Sequence, residues 1–365
     1  MMIDVKQVLW SGSGLLAAML LGLICGQALG ATQPENGARE VLEAPKLVVV
    51  IAIDQLRRDR LFESSEAGLG RLKQAGRVFT EAQLAHGITT TCPGHAAILT
   101  GLNPVGHGLP SNSFLDRATG QVQYCVGSDD PSHQVLGGSK GRSPSNLRAD
   151  TLGDWLKAKN PEHRVFAVSA KDRAAITLAG VNPDGVYWYD AAQGLFTTSG
   201  YYQDQLPAYL LAFNGQDPAD DGFMRGFPAR WTHSADGVRA DDYEGEDTRY
   251  ENVSGHPLME GTFEDIAKQV YASPFIDEAT MALAQLMVVE EAIGQGPVLD
   301  LLSISLSATD TVGHLYGPRS AEAADALARV DGMLGAFFSV LDERLGADNY
   351  WVVLTADHGV AELPE

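Results

Sequence analysis

Four short apolar runs along the chain lack the alternation of polar and apolar residues that marks a half-exposed strand. They lie at 46–53, 164–169, 299–306 and 350–355, and most of their residues are aliphatic or aromatic. A continuous apolar run of this length is typical of a strand that is buried on both faces of a parallel sheet. The run at 46–53 therefore predicts a central strand, and the other three runs predict further strands of the same fold.

Segments with helical periodicity separate the predicted strands. We expect helices at 63–75, around 147–158, at 276–293 and at 321–345. Because strands and helices alternate along the chain, we predict an α/β fold with a mostly parallel central sheet flanked by helices.

Two stretches fall outside this alternation. Residues 31–45 are polar and contain proline and glycine, so they are predicted to be a linker. Residues 214–260 are acidic, rich in glycine, aspartate and aromatic residues, and poor in apolar periodicity. We predict that they form an insertion or cap over the site, within a catalytic domain that covers 46–365.

The first thirty residues have the pattern of an export signal. Lys6 gives a positive start, residues 15–24 are almost entirely apolar, and Ala28 and Gly30 supply the small residues of a cleavage site after Gly30. An uncleaved anchor is the alternative, but the apolar run is short for a membrane span of ~20 residues. We therefore predict a signal peptide over 1–30, a secreted or periplasmic protein and no stable membrane insertion.

The formal charge excludes some classes of binding partner, and the number of cysteines limits the possible disulfides. A formal charge of −21 argues against nucleic acid or an anionic membrane surface as a partner, since phosphate groups repel an acidic surface. After cleavage only Cys92 and Cys125 remain. In an oxidising compartment they could form one disulfide, but two buried free thiols fit the sequence equally well.

Aspartate and histidine side chains that could bind a metal ion follow three of the predicted strands. Asp54 ends the first strand, Asp310 and His314 follow the third in SATDTVGHLYGP, and Asp357 and His358 follow the fourth in TADHG. In open α/β sheets, functional groups gather beyond the carboxyl ends of the strands. Mixed carboxylate and imidazole ligands suit zinc, with manganese or iron as alternatives.

A further candidate lies in the segment TTTCPGH, which leads into a short apolar helix at 96–100. Pro93 suits the first turn of a helix, which places the hydroxyl of Thr91 at the positive end of that helix. An alkoxide and a phosphate are both favoured there. From the local pattern alone, Thr91 could equally be a plain N-cap residue.

Taken as an ordered set, these motifs resemble the alkaline phosphatase superfamily. The resemblance is to its nucleotide pyrophosphatase/phosphodiesterase-like branch, and within that branch to the phosphate-insensitive, PafA-type alkaline phosphatases. It runs from about residue 46 to the end of the chain. It also includes GLPSNSFLD around Asn112, YCVGSDD around Cys125, SAKDRAAI at 169–176 and SPFIDEAT at 273–280.

The resemblance implies hydrolysis of phosphate monoesters to an alcohol and inorganic phosphate, with two zinc ions and a phosphothreonine intermediate. The implied metal ligands are Asp54, Thr91, Asp357 and His358 for one ion, and Asp310 and His314 for the other. A further histidine ligand of the second ion would lie well downstream, and no histidine follows His358. We therefore expect this chain to be the N-terminal portion of a longer protein.

The resemblance also makes Asn112, Lys171 and Arg173 the groups that bind phosphate. The chemistry agrees, since Arg173 can direct two donors at non-bridging oxygens, Lys171 adds a compact charge and Asn112 adds a neutral donor. Two cations suit the dianion of a monoester better than a diester. The alternative is that both cations are solvated residues that flank Asp172 after a strand.

Other functions remain open from the sequence. A phosphodiesterase or nucleotide pyrophosphatase of the same superfamily is the main alternative. A degenerate relative that binds phosphate without turnover is the non-enzyme alternative. In each case we expect small-molecule phosphate esters as partners and a monomeric protein.

Overall fold

The computed structural model describes residues 3–4, 44–62, 66–233 and 245–362. The predicted signal peptide lies outside the described residues apart from 3–4, and the predicted linker lies outside them apart from 44–45. In the part of the chain that the structure describes, no helix is long and apolar enough to cross a bilayer.

Fourteen strands and ten α-helices form the described part of the chain. The strands are β1 Ile3–Asp4, β2 Leu47–Ile53, β3 Arg77–Val78, β4 Ser113–Leu115, β5 Val122–Tyr124, β6 Gly127–Ser128, β7 Gly141–Arg142, β8 Val165–Ser169, β9 Gly185–Asp190, β10 Leu195–Thr197, β11 Arg230–Trp231, β12 His256–Pro257, β13 Asp300–Leu306 and β14 Tyr350–Thr355. The helices are α1 Gly68–Ala75, α2 Thr91–Thr100, α3 Pro104–His107, α4 Leu152–Lys159, α5 Asp172–Ala179, α6 Ala208–Asn214, α7 Phe263–Tyr271, α8 Phe275–Glu290, α9 Ala308–Tyr316 and α10 Ala321–Leu345.

A six-stranded sheet forms the centre of the molecule, in the order β10-β9-β8-β13-β2-β14. Its strands pair in parallel except for β10, which is antiparallel to β9. The predicted α/β class and mostly parallel sheet are confirmed, and all four predicted strands lie in the sheet. Strand β9 and the edge strand β10 were not predicted. The other strands form two-stranded pairs.

Strand β2 shows why the apolar runs are continuous. Leu47, Val49 and Ile51 pack in one core with residues of α1, α8, α9 and α10. Val50 packs in a separate core with Leu99 of α2 and with α5. Because both faces of the sheet are covered by helices, successive residues of the strand are buried alike.

The predicted helices are confirmed, but two begin later than expected, and capping explains both differences. Helix α4 begins at Leu152 because Thr151 and Asp154 form a reciprocal capping box. Helix α1 begins at Gly68. The carboxylate of Asp331 on α10 accepts hydrogen bonds from the main-chain N–H groups of the two residues before this helix and of one residue in its first turn. Neither cap can be read from local periodicity. Residues 63–65 of the predicted helix lie outside the described residues.

The segment predicted as an insertion, 214–260, contains only the short strands β11 and β12 and a 3-10 turn among its described residues. Trp231 is buried, and its indole N–H donates to Asp325 on α10 at 2.9 Å. The segment is therefore packed against the helical layer. That it caps the site stays a prediction.

One buried carboxylate fixes the start of helix α9. Asp277, in the first turn of α8, is fully buried and accepts hydrogen bonds from the N–H groups of Ser307 at 2.7 Å and Ala308 at 3.1 Å. Ser307 is the N-cap residue of α9 but makes no side-chain cap. A carboxylate from another helix therefore satisfies donors that would otherwise be buried without partners.

We expect Asp277→Ala to lower the free energy of unfolding by about 3 kcal/mol, because it leaves buried N–H groups unpaired at a helix start. Urea denaturation of the variant and the parent measures this change. Asp265→Ala, which removes the exposed capping box of α7, is the matched control and should cost much less. Equal losses in the two variants would contradict the role assigned to Asp277.

Candidate active site

The sheet order brings the predicted site residues to one edge. Strands β8, β13, β2 and β14 are neighbours in the sheet and run parallel. Their carboxyl ends lead, in that order, to Lys171, Asp310, Asp54 and Asp357. All four side chains are buried. The crossover topology, rather than proximity in sequence, assembles the site.

Asp54, Asp357 and His358 form a compact group of ligand-type atoms. Nε2 of His358 lies 3.3 Å from Oδ1 of Asp54 and 3.3 Å from Oδ2 of Asp357. Nδ1 of His358 lies 2.8 Å from the carbonyl oxygen of Gly359. Because a carbonyl can only accept, Nδ1 carries the proton, and Nε2 presents its lone pair to the two carboxylates.

The donor set of this group fits a divalent cation. Oδ1 of Asp54 and Oδ2 of Asp357 are buried and accept no hydrogen bond among the described residues, although Nδ1 of His95 lies 3.1 Å from Oδ2 of Asp357. Burial, together with the charge of Asp357, raises the pKa of Asp54 to about 7. Buried carboxylate oxygens without a donor are unfavourable unless a cation compensates them. Two carboxylates and one imidazole are a ligand set that zinc binds.

Asp310 lies beside the same group but faces Lys171 and His314. Its carboxylate pairs with the ammonium of Lys171 and lies 3.2 Å from Nε2 of His314. Although burial opposes it, the hydrogen bond from His314 and the charge of Lys171 lower the pKa of Asp310. Ligand-type atoms of Asp54, Asp310 and His358 all lie within 4.8 Å of one another.

His314 and Lys171 take different positions around this group. The side chain of His314 is 66% exposed, so it lies at the rim of the site. The Nζ of Lys171 is buried and lies 2.6 Å from Oδ2 of Asp54. The structure thus contradicts the alternative that Lys171 is a solvated residue.

Gln55 connects the two carboxylate groups, and sequence reasoning gave it no role. Its main-chain N–H donates to Oδ1 of Asp357 at 3.1 Å, and its side-chain Nε2 donates to Oδ1 of Asp310 at 3.0 Å. Gln55 is buried and has a φ of +65°. A left-handed backbone in a non-glycine residue is uncommon and persists where the surroundings enforce it.

Thr91 is the first residue of helix α2, and the N-cap is Thr90, which makes no side-chain cap. The helix start lies against the metal-type group. Nδ1 of His95 lies 2.9 Å from the carbonyl oxygen of Thr91 and 3.1 Å from Oδ2 of Asp357. A Cβ at Gly94 would lie 2.8 Å from Cβ of Asp357, so only glycine permits this approach.

Asn112 reaches the same helix start. Its Oδ1 accepts a hydrogen bond from the N–H of Cys92 at 2.8 Å. Cys92 and Cys125 are joined by a disulfide, which decides between the two alternatives that the sequence left open. The predicted phosphate-binding asparagine therefore lies within hydrogen-bond distance of the residue that follows Thr91.

Arg173 is half-buried and is held by a polar network that sequence reasoning did not identify. Its Nη1 lies 3.5 Å from the hydroxyl oxygen of Tyr124, and the Tyr124 hydroxyl donates to Oδ1 of Asp172 at 2.6 Å. Arg142 pairs with Asp172, and its guanidinium lies 4.8 Å from the centre of the Tyr124 ring. Nε of Arg173 has no hydrogen-bond partner among the described residues.

The residues that sequence reasoning missed lie next to those that it found. Gln55 follows Asp54, Tyr124 precedes Cys125, and Asp172 lies between the two predicted cations. Their position beside a motif was the only available signal. Their contacts depend on backbone conformation and on chain crossings that periodicity does not report.

Comparison with known proteins supplies independent information. The family model described as type I phosphodiesterase / nucleotide pyrophosphatase matches residues 48–365. The chain is 32% identical to alkaline phosphatase PafA of Elizabethkingia meningoseptica, over 94% of this chain and 64% of that protein. It is 34% identical to alkaline phosphatase PhoV of Synechococcus elongatus, over 89% of this chain and 61% of that protein.

Structure comparison agrees with the sequence comparison. The crystal structure of PafA matches with a TM-score of 0.78 and 32% identity, and covers 87% of this chain and 64% of PafA. Alkaline phosphatase PhoK of a Sphingomonas species is 35% identical over 88% of this chain and 56% of that protein. The chain therefore spans less than two thirds of the length of each of these relatives.

We expect Gln55→Met to weaken zinc binding by about 10- to 100-fold, because Asp310 loses the donor that orients it. The main-chain bond to Asp357 is retained in this variant, so the loss should come from Asp310 alone. Titration of zinc against a chelating dye measures the affinity without turnover. Gln121→Met, at an exposed position, is the control. Unchanged zinc affinity in Gln55→Met would contradict this assignment.

Proposed function

Because the chain belongs to the type I phosphodiesterase / nucleotide pyrophosphatase family, we propose that it hydrolyses phosphate monoesters to an alcohol and inorganic phosphate, with Thr91 as the nucleophile. The observation that carries the proposal is the buried group of Asp54, Asp357 and His358 beside the first turn of α2. His95 contacts both Thr91 and Asp357, which fixes the helix start against that group.

Similar proteins favour a phosphatase within this family. PafA, PhoV and PhoK are each named as alkaline phosphatases, and each is 32–35% identical to this chain. The description of the family also includes phosphodiesterases and nucleotide pyrophosphatases. The choice between these activities therefore rests on the residues that contact the phosphoryl group.

The proposed cofactor is a pair of zinc ions, with manganese or iron as alternatives. Asp54, Asp357 and His358, with the hydroxyl of Thr91, would hold one ion, and Asp310 and His314 would contribute to the other. When bound, such ions lower the pKa of a hydroxyl, stabilise a leaving oxygen and activate water.

Thr91 is well placed to receive the phosphoryl group. In the first step, the Oγ1–P bond forms as the ester P–O bond breaks, and the proton of the Thr91 hydroxyl passes through solvent to the leaving oxygen, which departs as the alcohol. In the second step, water attacks phosphorus, the Oγ1–P bond breaks, and a proton of that water passes through solvent to Oγ1 as inorganic phosphate is released. The N-terminus of α2 favours negative charge at Thr91 throughout both steps.

Lys171, Arg173 and Asn112 would stabilise the charge on the phosphoryl oxygens. Lys171 uses two of its three N–H donors on Asp54 and Asp310. Its third donor remains for a phosphoryl or leaving-group oxygen. Among the described residues, Nε of Arg173 has no hydrogen-bond partner and Nη1 has a long contact to Tyr124, so the guanidinium can donate to two oxygens.

The Asn112 side chain adds a neutral donor. Because its Oδ1 accepts from the main chain of Cys92, its Nδ2 faces the other way. Two cations and a neutral amide suit a dianionic monoester, whereas a diester carries one negative charge and a second ester group. This balance of charge favours the monoesterase over the diesterase.

We also propose export and a small-molecule substrate. The predicted signal peptide and its cleavage after Gly30 would place the protein in the periplasm or outside the cell. The disulfide of Cys92 and Cys125 supports an oxidising compartment. We propose a monomer, with phosphate esters as its partners.

We expect the full-length protein, loaded with zinc, to hydrolyse p-nitrophenyl phosphate with a higher kcat/KM than bis-p-nitrophenyl phosphate. Arg173→Ala should lower kcat/KM for the monoester by about a hundredfold, because a charge-assisted pair of hydrogen bonds is lost. The diester should lose less, because it carries less charge. Steady-state kinetics on both substrates measures the two effects.

Arg117→Ala, at an exposed position, is the matched control and should leave both rates unchanged. Preference for the diester in the parent protein would support the phosphodiesterase instead. Tight phosphate binding without hydrolysis of either ester would support the degenerate relative.

A further inference from the structure

The disulfide lies next to the proposed nucleophile. Cys92 directly follows Thr91 in the first turn of α2, and Cys125 directly follows strand β5. The two cysteines are separated by 33 positions, and both are fully buried. The loop that they close contains Asn112, the proposed neutral donor to the phosphoryl group.

Asn112 accepts hydrogen bonds from the main-chain N–H groups of both cysteines. Its side-chain Oδ1 accepts from the N–H of Cys92 at 2.8 Å, and its main-chain oxygen accepts from the N–H of Cys125 at 3.0 Å. The disulfide closes this arrangement covalently. Since main-chain N–H groups can only donate, the Asn112 side chain can take only the orientation in which Nδ2 is left to donate.

The same segment supports the proposed cation at the phosphoryl group. Tyr124 precedes Cys125, and its hydroxyl lies between Asp172 at 2.6 Å and Arg173 at 3.5 Å. A shift of Cys125 away from α2 would therefore displace Tyr124 from Arg173. It would also lengthen the main-chain hydrogen bond from Cys125 to Asn112.

We propose that the Cys92–Cys125 disulfide is a positioning element for phosphate binding, which sets Asn112 and, through Tyr124, Arg173 relative to Thr91. This inference rests on the proposed function of the same site. The cysteines touch no reacting atom, so they act through Asn112 and Tyr124 rather than as catalytic residues.

The segment around Asn112 contains only short secondary-structure elements, which hold it weakly in place. Between Cys92 and Cys125 the chain leaves α2 and forms the four-residue helix α3 and two three-residue strands, β4 and β5. Short elements of this kind contribute few main-chain hydrogen bonds, and an isolated two-stranded hairpin is marginally stable. The disulfide anchors this segment directly to the helix that carries the nucleophile.

The test compares the full-length, zinc-loaded protein with its Cys92→Ala/Cys125→Ala variant. The measurements are kcat and KM for p-nitrophenyl phosphate, the Kd of inorganic phosphate by calorimetry, the Tm and the zinc content. We expect KM and the phosphate Kd to rise about tenfold, the cost of one misplaced hydrogen bond to a charged group. The zinc content should be unchanged, and kcat should change much less than KM.

Val126→Ala is the matched control for lost packing. Val126 is buried next to Cys125 in the same apolar cluster, and its truncation leaves the disulfide intact. It should lower the Tm without changing KM or the phosphate Kd. An equal rise of the phosphate Kd in Val126→Ala and in the cysteine variant would overturn the inference, as would a cysteine variant in which only the Tm falls.

A double-mutant cycle tests the route through Asn112. In an Asn112→Ala background, removal of both cysteines should weaken phosphate binding much less than it does in the parent. Full additivity would overturn the inference.

The side-chain amide signals of Asn112 in NMR spectra provide a readout that needs no turnover. They should shift or broaden when both cysteines are replaced, and unchanged signals would overturn the inference even if the protein hydrolyses no ester. A parent protein that neither hydrolyses esters nor binds phosphate would overturn the proposed function instead, and the amide signals would still decide the role of the disulfide.

Discussion

Three buried carboxylates meet at the carboxyl edge of the sheet, and the cost of burying their charge shapes everything around them. Asp54, Asp310 and Asp357 approach one another in a region from which water is largely excluded. An uncompensated buried ion costs several kcal/mol even after the protein relaxes. The fold tolerates this arrangement because cationic and hydrogen-bonding groups surround the carboxylates, and because oxygens of Asp54 and Asp357 remain for a cation.

The groups that compensate this charge come from three different elements of the fold. Lys171 enters from the end of β8, the main chain of Gln55 turns into a left-handed conformation, and His95 reaches across from α2. Each group contacts at least one carboxylate and ties a different element to the site. The site is therefore also a structural junction, so a change in one of these residues should affect metal binding and packing together.

The sequence predicted the parts of this arrangement that depend on local pattern. The apolar runs of β2 and β14 identified two strands of the sheet, with β2 inside it and β14 at its edge. The polar residues that follow them predicted where the candidate site lies. Strand β9 was not predicted, although its aromatic residues Trp188 and Tyr189 are buried in the sheet.

Features that depend on long-range contact could not be predicted. The positive φ of Gln55 is enforced by partners far away in the sequence, and the start of α9 is fixed by Asp277 on another helix. Neither proximity nor pairing of Cys92 and Cys125 follows from their spacing.

The central claim is that Thr91 carries the phosphoryl group during turnover. The most direct test is to quench the zinc-loaded, full-length protein with acid during hydrolysis of p-nitrophenyl phosphate and to map phosphorylated peptides by mass spectrometry. We expect a phosphoryl group on the peptide that contains Thr91, and neither phosphopeptide nor turnover in Thr91→Ala. If Thr91→Ala still hydrolyses the ester at the parent rate, Thr91 is not the nucleophile.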